Sequence, residues 1–195
     1  PFSSLVQVIV TGHEAYWENV NANGGIGGMT VELETVDTAY DVPTHVQRYE
    51  ELKDEVVAFG HSTGSPHTVA INADLQADGI LAIPLTWYSG WSDPAINANL
   101  MHHGVPYCLE SMNVIGYLAD NQEISTIAIA SMAGDYGLDS HAGARLAAEA
   151  AGLEIVYEGE GAINVADEAT LTAVANEIVA SGADLAYVTT TPTAW

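Results

Sequence analysis

The sequence predicts an α/β protein in which helices cover parallel sheets. Apolar positions switch repeatedly between the helical period and the strand period along the chain, the pattern of βαβ construction. Several strand-like stretches, such as Ile80-Leu-Ala-Ile83 and Ile127-Ala-Ile-Ala130, are continuous apolar runs. Runs of that kind suit sheets covered on both faces. Hydrophobic residues make up 48% and charged residues 15% of the chain, the balance of a globular protein. A chain of 195 residues can bury a real core and is of one- or two-domain size.

The periodicity predicts helices over residues 7–22, 43–53, 66–77, 138–151 and 167–180. It predicts strands over 30–36, 55–59, 80–83, 105–109, 125–130, 153–158 and 184–188. The first helix runs into Gly24, Gly25, Gly27 and Gly28, and a strand from Thr30 to Val36 is expected after them. A dinucleotide fingerprint has the opposite order, with its glycines following a strand and opening a helix. These glycines are therefore read as a helix stop and a turn. Ser65 and Pro66 suit the start of the 66–77 helix. Val105, Tyr107 and Leu109 alternate around Cys108, so a strand is expected there, with the lone cysteine as a small buried hydrophobe. A lobe boundary is placed near Glu110, dividing the chain into 1–110 and 111–195. No internal repeat or low-complexity segment interrupts the pattern.

Charge narrows the partners. Three basic residues, Arg48, Lys53 and Arg145, face 26 acidic ones, for a net charge of −23. A nucleic-acid partner needs a basic footprint, and none can be assembled. An anionic membrane surface would repel the chain, and no apolar run approaches the roughly 20 residues that span a bilayer. Direct membrane insertion is not expected. One cysteine excludes an internal disulfide.

Asn21-x-x-Gly-Gly-Ile-x-Gly28 followed by Asp37-Thr-x-Tyr-Asp41 resembles the first lobe of the type I periplasmic solute-binding proteins. These are the branched-chain amino acid and amide receptors of ABC transporters. The likeness continues through Gly60-His-Ser-Thr-Gly-Ser65, Ile80-Leu-Ala-Ile-Pro84, Ile127-Ala-Ile-Ala130, Asp135-Tyr-Gly137 and Ala147-Ala-Glu-Ala-Ala-Gly-Leu153. It implies two Rossmann-like lobes with parallel sheets, here incomplete, since the family's first strand and C-terminal part are not matched. It also implies a periplasmic or extracellular location, compatible with a lipid anchor and a signal peptide in the precursor, and an ABC permease as partner. No cofactor is implied.

In open α/β sheets, ligands bind beyond the carboxyl ends of the strands. The corresponding loops are 37–41, 60–65, 84–91, 131–136 and 189–195, rich in hydroxyls, glycine and aromatics. Gly64 and Ser65 either cap the next helix or also offer N–H groups to a carboxylate; the resemblance supports the second. It further implies that ligand polar groups meet Thr86, Trp87, Tyr88 and Ser89, that Tyr136 closes over the ligand, and that either Thr190 or Thr191 touches it. Phe2 and Ser3 match the family's first binding loop. Trp87 and Tyr88 are larger than the residues usual there, which favours a bulky or aromatic ligand. The aromatics of 87–91 can alternatively form a lid over the lobe's own core, and Asp135–Gly137 can be a plain turn.

No histidine pair has the helical spacing and glutamate of a zinc protease, so no metal is expected. The chain has no Gly-x-Ser-x-Gly elbow, and Ser65 with His67 two residues away does not make a triad. The residues point to binding rather than catalysis. The expected function is capture of a small amino-acid-like or carboxylate-bearing solute by lobe closure, for ABC-type uptake. The alternative is a ligand-sensing domain of an amide- or amino-acid-responsive regulator.

Overall fold

The computed structural model describes residues 3–191, which fall into two compact units, 1–39 and 40–195. In the first unit, helix α1 (Ser3–Ala22) ends in a turn through Gly24 to Gly28. Gly25 has φ 69°, and an added Cβ would strike the Met29 carbonyl, so the turn needs glycine at this position. The glycine turn is thus present, but the strand expected at 30–36 is not; these residues carry no ladder. A strand needs a neighbour for its N–H and C=O groups. Here the Asn21 side chain takes that part, donating to Val31 O and accepting from Val31 N, both at 2.8 Å. Phe2 lies outside the described residues, and Ser3 begins α1 rather than a loop.

The second unit contains two parallel sheets. Helix α2 (Val42–Leu52) starts at Asp41, whose carboxylate accepts from Thr44 N. Strand β1 (Ala58–Thr63) pairs in parallel with β2 (Leu81–Leu85) through the crossover helix α3 (Ser65–Asp78). Their core gathers Tyr49, Ile71, Leu75, Ala82, Trp91 and Leu100. A bulge in β1 falls between Gly60 and Ser62, leaving His61 at φ 57°. The strand therefore runs past the predicted end at 59 and delivers Ser62 and Thr63 to its carboxyl tip.

The second sheet has the order β4-β3-β5, all parallel: β3 (Thr126–Met132), β4 (Glu154–Ile163) and β5 (Leu185–Thr189). Residues 127–131 of the central strand are all buried, as its continuous apolar run requires. Helices α4 (Tyr107–Asn121), α5 (Asp135–Ala151) and α6 (Glu168–Ser181) cover it.

Two predicted features change here. The strand expected at 105–109 is instead the start of α4, with Pro106 as N-cap. The apparent alternation around Cys108 was too short to tell a strand from a helix turn; the longer spacing Ser111, Met112, Ile115, Ala119 faces the core with a helical period. Cys108 is half-buried, and its backbone lies where a Cβ on Gly143 of α5 would sit, so the two helices approach at backbone distance. Asp135–Gly137, for which a plain turn was the alternative, is the first turn of α5, with Gly134 as N-cap, so the helix starts before the predicted 138.

Candidate functional site

The carboxyl ends of β1 and β2 bring their hydroxyls together. Ser65 is the first residue of α3, but the N-cap is Gly64, and no side chain caps the helix. Ser65 Oγ instead meets Thr86 Oγ1 at 2.5 Å, and both side chains are buried. Thr68 N opens the helical ladder to Gly64 O at 3.0 Å, and Pro66 has no N–H. The remaining first-turn donors are the N–H groups of Ser65 and His67, for which no acceptor is seen among the described residues. Gly64 (φ 99°, ψ 138°) lies against His67 and Tyr40; a Cβ there would come within 2.6 Å of His67 Nδ1 and 2.9 Å of the Tyr40 hydroxyl.

Aromatic rings stand beside this hydroxyl pair. Tyr107 hydroxyl donates to Thr86 Oγ1 at 3.4 Å, and its ring meets Tyr136 edge-on at 4.7 Å between centroids. Tyr136 in turn donates to Thr190 O at 3.4 Å. Trp87 packs edge-on to Tyr107 at 6.1 Å and against His103 at 5.8 Å. It also borders a hollow of about 400 Å³ lined by Trp87, Val105, Glu110, Asn113 and Val114.

Burial, then the neighbouring Tyr107, Tyr187 and Glu110, push the Tyr136 phenol up to about 12. Burial also raises Tyr107 and Tyr40, and the neighbouring Tyr107 adds to the rise at Tyr40. All three phenols are therefore hydrogen-bond donors at neutral pH. The cations are elsewhere: Arg48 pairs with Glu51, Lys53 with Glu50 and Asp78, and Arg145 with Glu149 and Glu158. Neutral donors, not a guanidinium or ammonium, are what this arrangement offers an anion.

The remaining predicted residues divide. Tyr88 turns toward the core and packs edge-on to Trp91 at 5.3 Å, so the lid reading describes these two rings. Ser89 gives both its N–H and its hydroxyl to Asp139. Thr190 Oγ1 is buried with no hydrogen-bond partner among the described residues, and Thr191 is buried. Sequence reading missed Tyr107, hidden by the strand assignment, and Asp139, one turn beyond Tyr136. Left-handed φ at Ala39 (52°) and Tyr40 (55°) was likewise not legible from residue type.

Burial and then Asp139 raise the Cys108 thiol, which keeps it protonated rather than nucleophilic at neutral pH. Among the described residues no three His, Cys, Asp or Glu side chains are grouped to hold a metal ion. No helix among them is long and apolar enough to cross a membrane.

Hydroxyls thus gather at the carboxyl ends of parallel strands, the place where open α/β sheets hold their ligands. The chain belongs to the periplasmic binding protein family, whose profile matches residues 1–194. Among solved structures, it is similar to a fatty acid ABC transporter substrate-binding protein from Thermomonospora curvata, with 27% identity and TM-score 0.85 over 98% of this chain and 48% of that one. An extracellular ligand-binding receptor from Verminephrobacter eiseniae matches at 19% identity and TM-score 0.85, over 100% of this chain and 55% of that one. A branched-chain amino acid ABC transporter protein from Thermus thermophilus with bound valine matches at 20% identity and TM-score 0.73, over 89% and 45%. The chain thus spans about half the length of these solved relatives. No curated protein is significantly similar in sequence.

Proposed function

We propose that this chain forms part of an extracytoplasmic receptor that captures a small carboxylate-bearing solute and passes it to an ABC permease. The observation that carries the reading is the start of α3: two N–H donors with no acceptor among the described residues, beside the buried Ser65–Thr86 hydroxyl pair. A helix N-terminus with free N–H groups favours an anion. Ser65 and Gly64 receive the carboxylate, with Thr86 supporting the Ser65 hydroxyl. Trp87, Tyr107 and Tyr136 line the apolar body of the solute, and Tyr136 and Thr190 or Thr191 approach from the second sheet. Aromatic walls of this size favour a bulky or aromatic body over a short aliphatic one. Binding to both sheets selects their closed arrangement over an open one. The protein works in the periplasm or outside the cell, where a receptor meets solute before uptake.

The test is a thermal-shift screen of the chain against amino acids, amides, urea, aromatic acids and fatty acids. A ligand of the native state raises apparent stability by RT ln(1 + [L]/Kd), about 2.7 kcal/mol at a hundredfold excess over Kd. A carboxylate that raises Tm for the wild type but not for Ser65→Ala supports the reading. Shifts from neutral compounds alone, or turnover of an ester or amide, would sink it.

A further inference from the structure

Asp139 lies one helical turn beyond Tyr136 on α5 and uses its carboxylate on segments far away in sequence. Its Oδ2 accepts from Ser89 N at 2.9 Å and from Cys108 N at 3.3 Å, while Oδ1 accepts from the Ser89 hydroxyl. Ser89 begins the short 3-10 turn Ser89–Ser92 after β2, and Cys108 is in the first turn of α4. Neither turn has a side-chain cap of its own, since Tyr88 and Pro106 make no cap hydrogen bond. Their first-turn N–H groups are orphans by construction, and a single carboxylate from a third element satisfies one from each. Backbone pairing of Tyr107 N with Trp87 O at 2.8 Å runs beside it.

An acid on the outer face of α5 would have gone to water or to one of the three cations. Instead, Asp139 receives three neutral donors across 50 and 31 residues of chain. The segments it joins carry Trp87 after β2, Tyr107 on α4 and Tyr136 on α5, the aromatic walls of the candidate site. We infer that Asp139 is a positioning residue, a clamp that fixes the β2 segment to the ligand-facing side of α5 and so sets the closed spacing of the two sheets. Its importance for binding rests on the receptor reading; the clamp itself does not.

The experiment is therefore done without ligand. Spin labels at Ala77→Cys on α3 and Glu177→Cys on α6, in a Cys108→Ser background of the full chain, report the distance between the two sheets by pulsed EPR. Asp139→Asn keeps the size of the side chain but turns half of it into a donor facing donors. The expected result is a distance distribution at least twice as broad as wild type, with Ser89→Ala falling between. A residue that only capped two helical turns would lower Tm and leave that distribution in place. Unchanged distributions for both variants overturn the inference. Should Asp139→Asn not fold, Ser89→Ala with amide exchange in the wild type decides: slow exchange at Ser89 and Cys108 is expected, and exchange at unprotected rates overturns it. Failure of the receptor reading would leave these distances untouched, so the two outcomes are separable.

Discussion

Replacing Gly64 by alanine probes the tip of β1, where backbone strain and close packing coincide. At φ 99° and ψ 138° the residue sits in a region that side chains avoid, and holding alanine there costs about 1–3 kcal/mol. The added Cβ would also come within 2.6 Å of His67 Nδ1 and 2.9 Å of the Tyr40 ring. His67 is 1% exposed and has no open side to move into. Overpacking of that kind adds about 1–3 kcal/mol. Taking about 3 kcal/mol as the total, a domain of this size should lose about 6–12 °C in Tm. Gly116 is the internal control, lying inside α4 with ordinary φ and nothing within 4 Å of an added Cβ. Gly116→Ala should stabilise by about 0.5–1 kcal/mol, the usual gain of alanine over glycine within a helix. Both variants are measured by calorimetry and urea unfolding at pH 7. A Tm loss below about 2 °C for Gly64→Ala, or shifts of the same sign in both variants, would refute the packing argument.

His45 is half-buried and its ring is held down to about 4, by burial first and then by neighbouring His67. The unfolded chain takes up this proton first as pH falls below 6.5, so stability is present above that value and is lost as pH falls toward about 4. With the ring only half-buried, about 1 kcal/mol should disappear between pH 7 and 5, and urea midpoints should show a smaller loss for His45→Gln. Equal losses would contradict this assignment. Asp184 accepts from the backbone and hydroxyls of Ser125 and Thr126, which lowers its carboxyl to about 2. Its contribution is present above the ordinary value of 3.8 and fades as pH drops to about 2. Asp184→Ala should thus lower Tm at pH 7 and match wild type near pH 2; a constant difference across that range would exclude the hydrogen-bond explanation. At the crossing of α4 and α5, Gly143→Val should cost about 2–3 kcal/mol in urea unfolding, because its side chain meets the Cys108 backbone. A neutral result would mean the helices are not in backbone contact.

Residue pattern alone specified the α/β class, the helix and strand order around β1–α3–β2 and β3–α5–β4–α6–β5, and the placing of hydroxyls at strand ends. These follow from local periodicity and from glycine and proline, whose effects act over a few residues. The same local signals misread residues 105–109, since three alternating apolar positions over five residues fit a helix start as well as a strand. They also placed a strand at 30–36, where backbone groups find the Asn21 side chain instead of a neighbouring chain. Tertiary structure alone decided that Ser65 bonds Thr86 rather than capping its helix, that Tyr107 joins Tyr136, and that Asp139 spans three segments. Those contacts link residues 21 to 50 positions apart, and sequence spacing carries no information about distance once the chain has turned back on itself. The aromatic and hydroxyl side chains were visible from the start; which of them share one site is fixed by the crossovers that bring strand ends together.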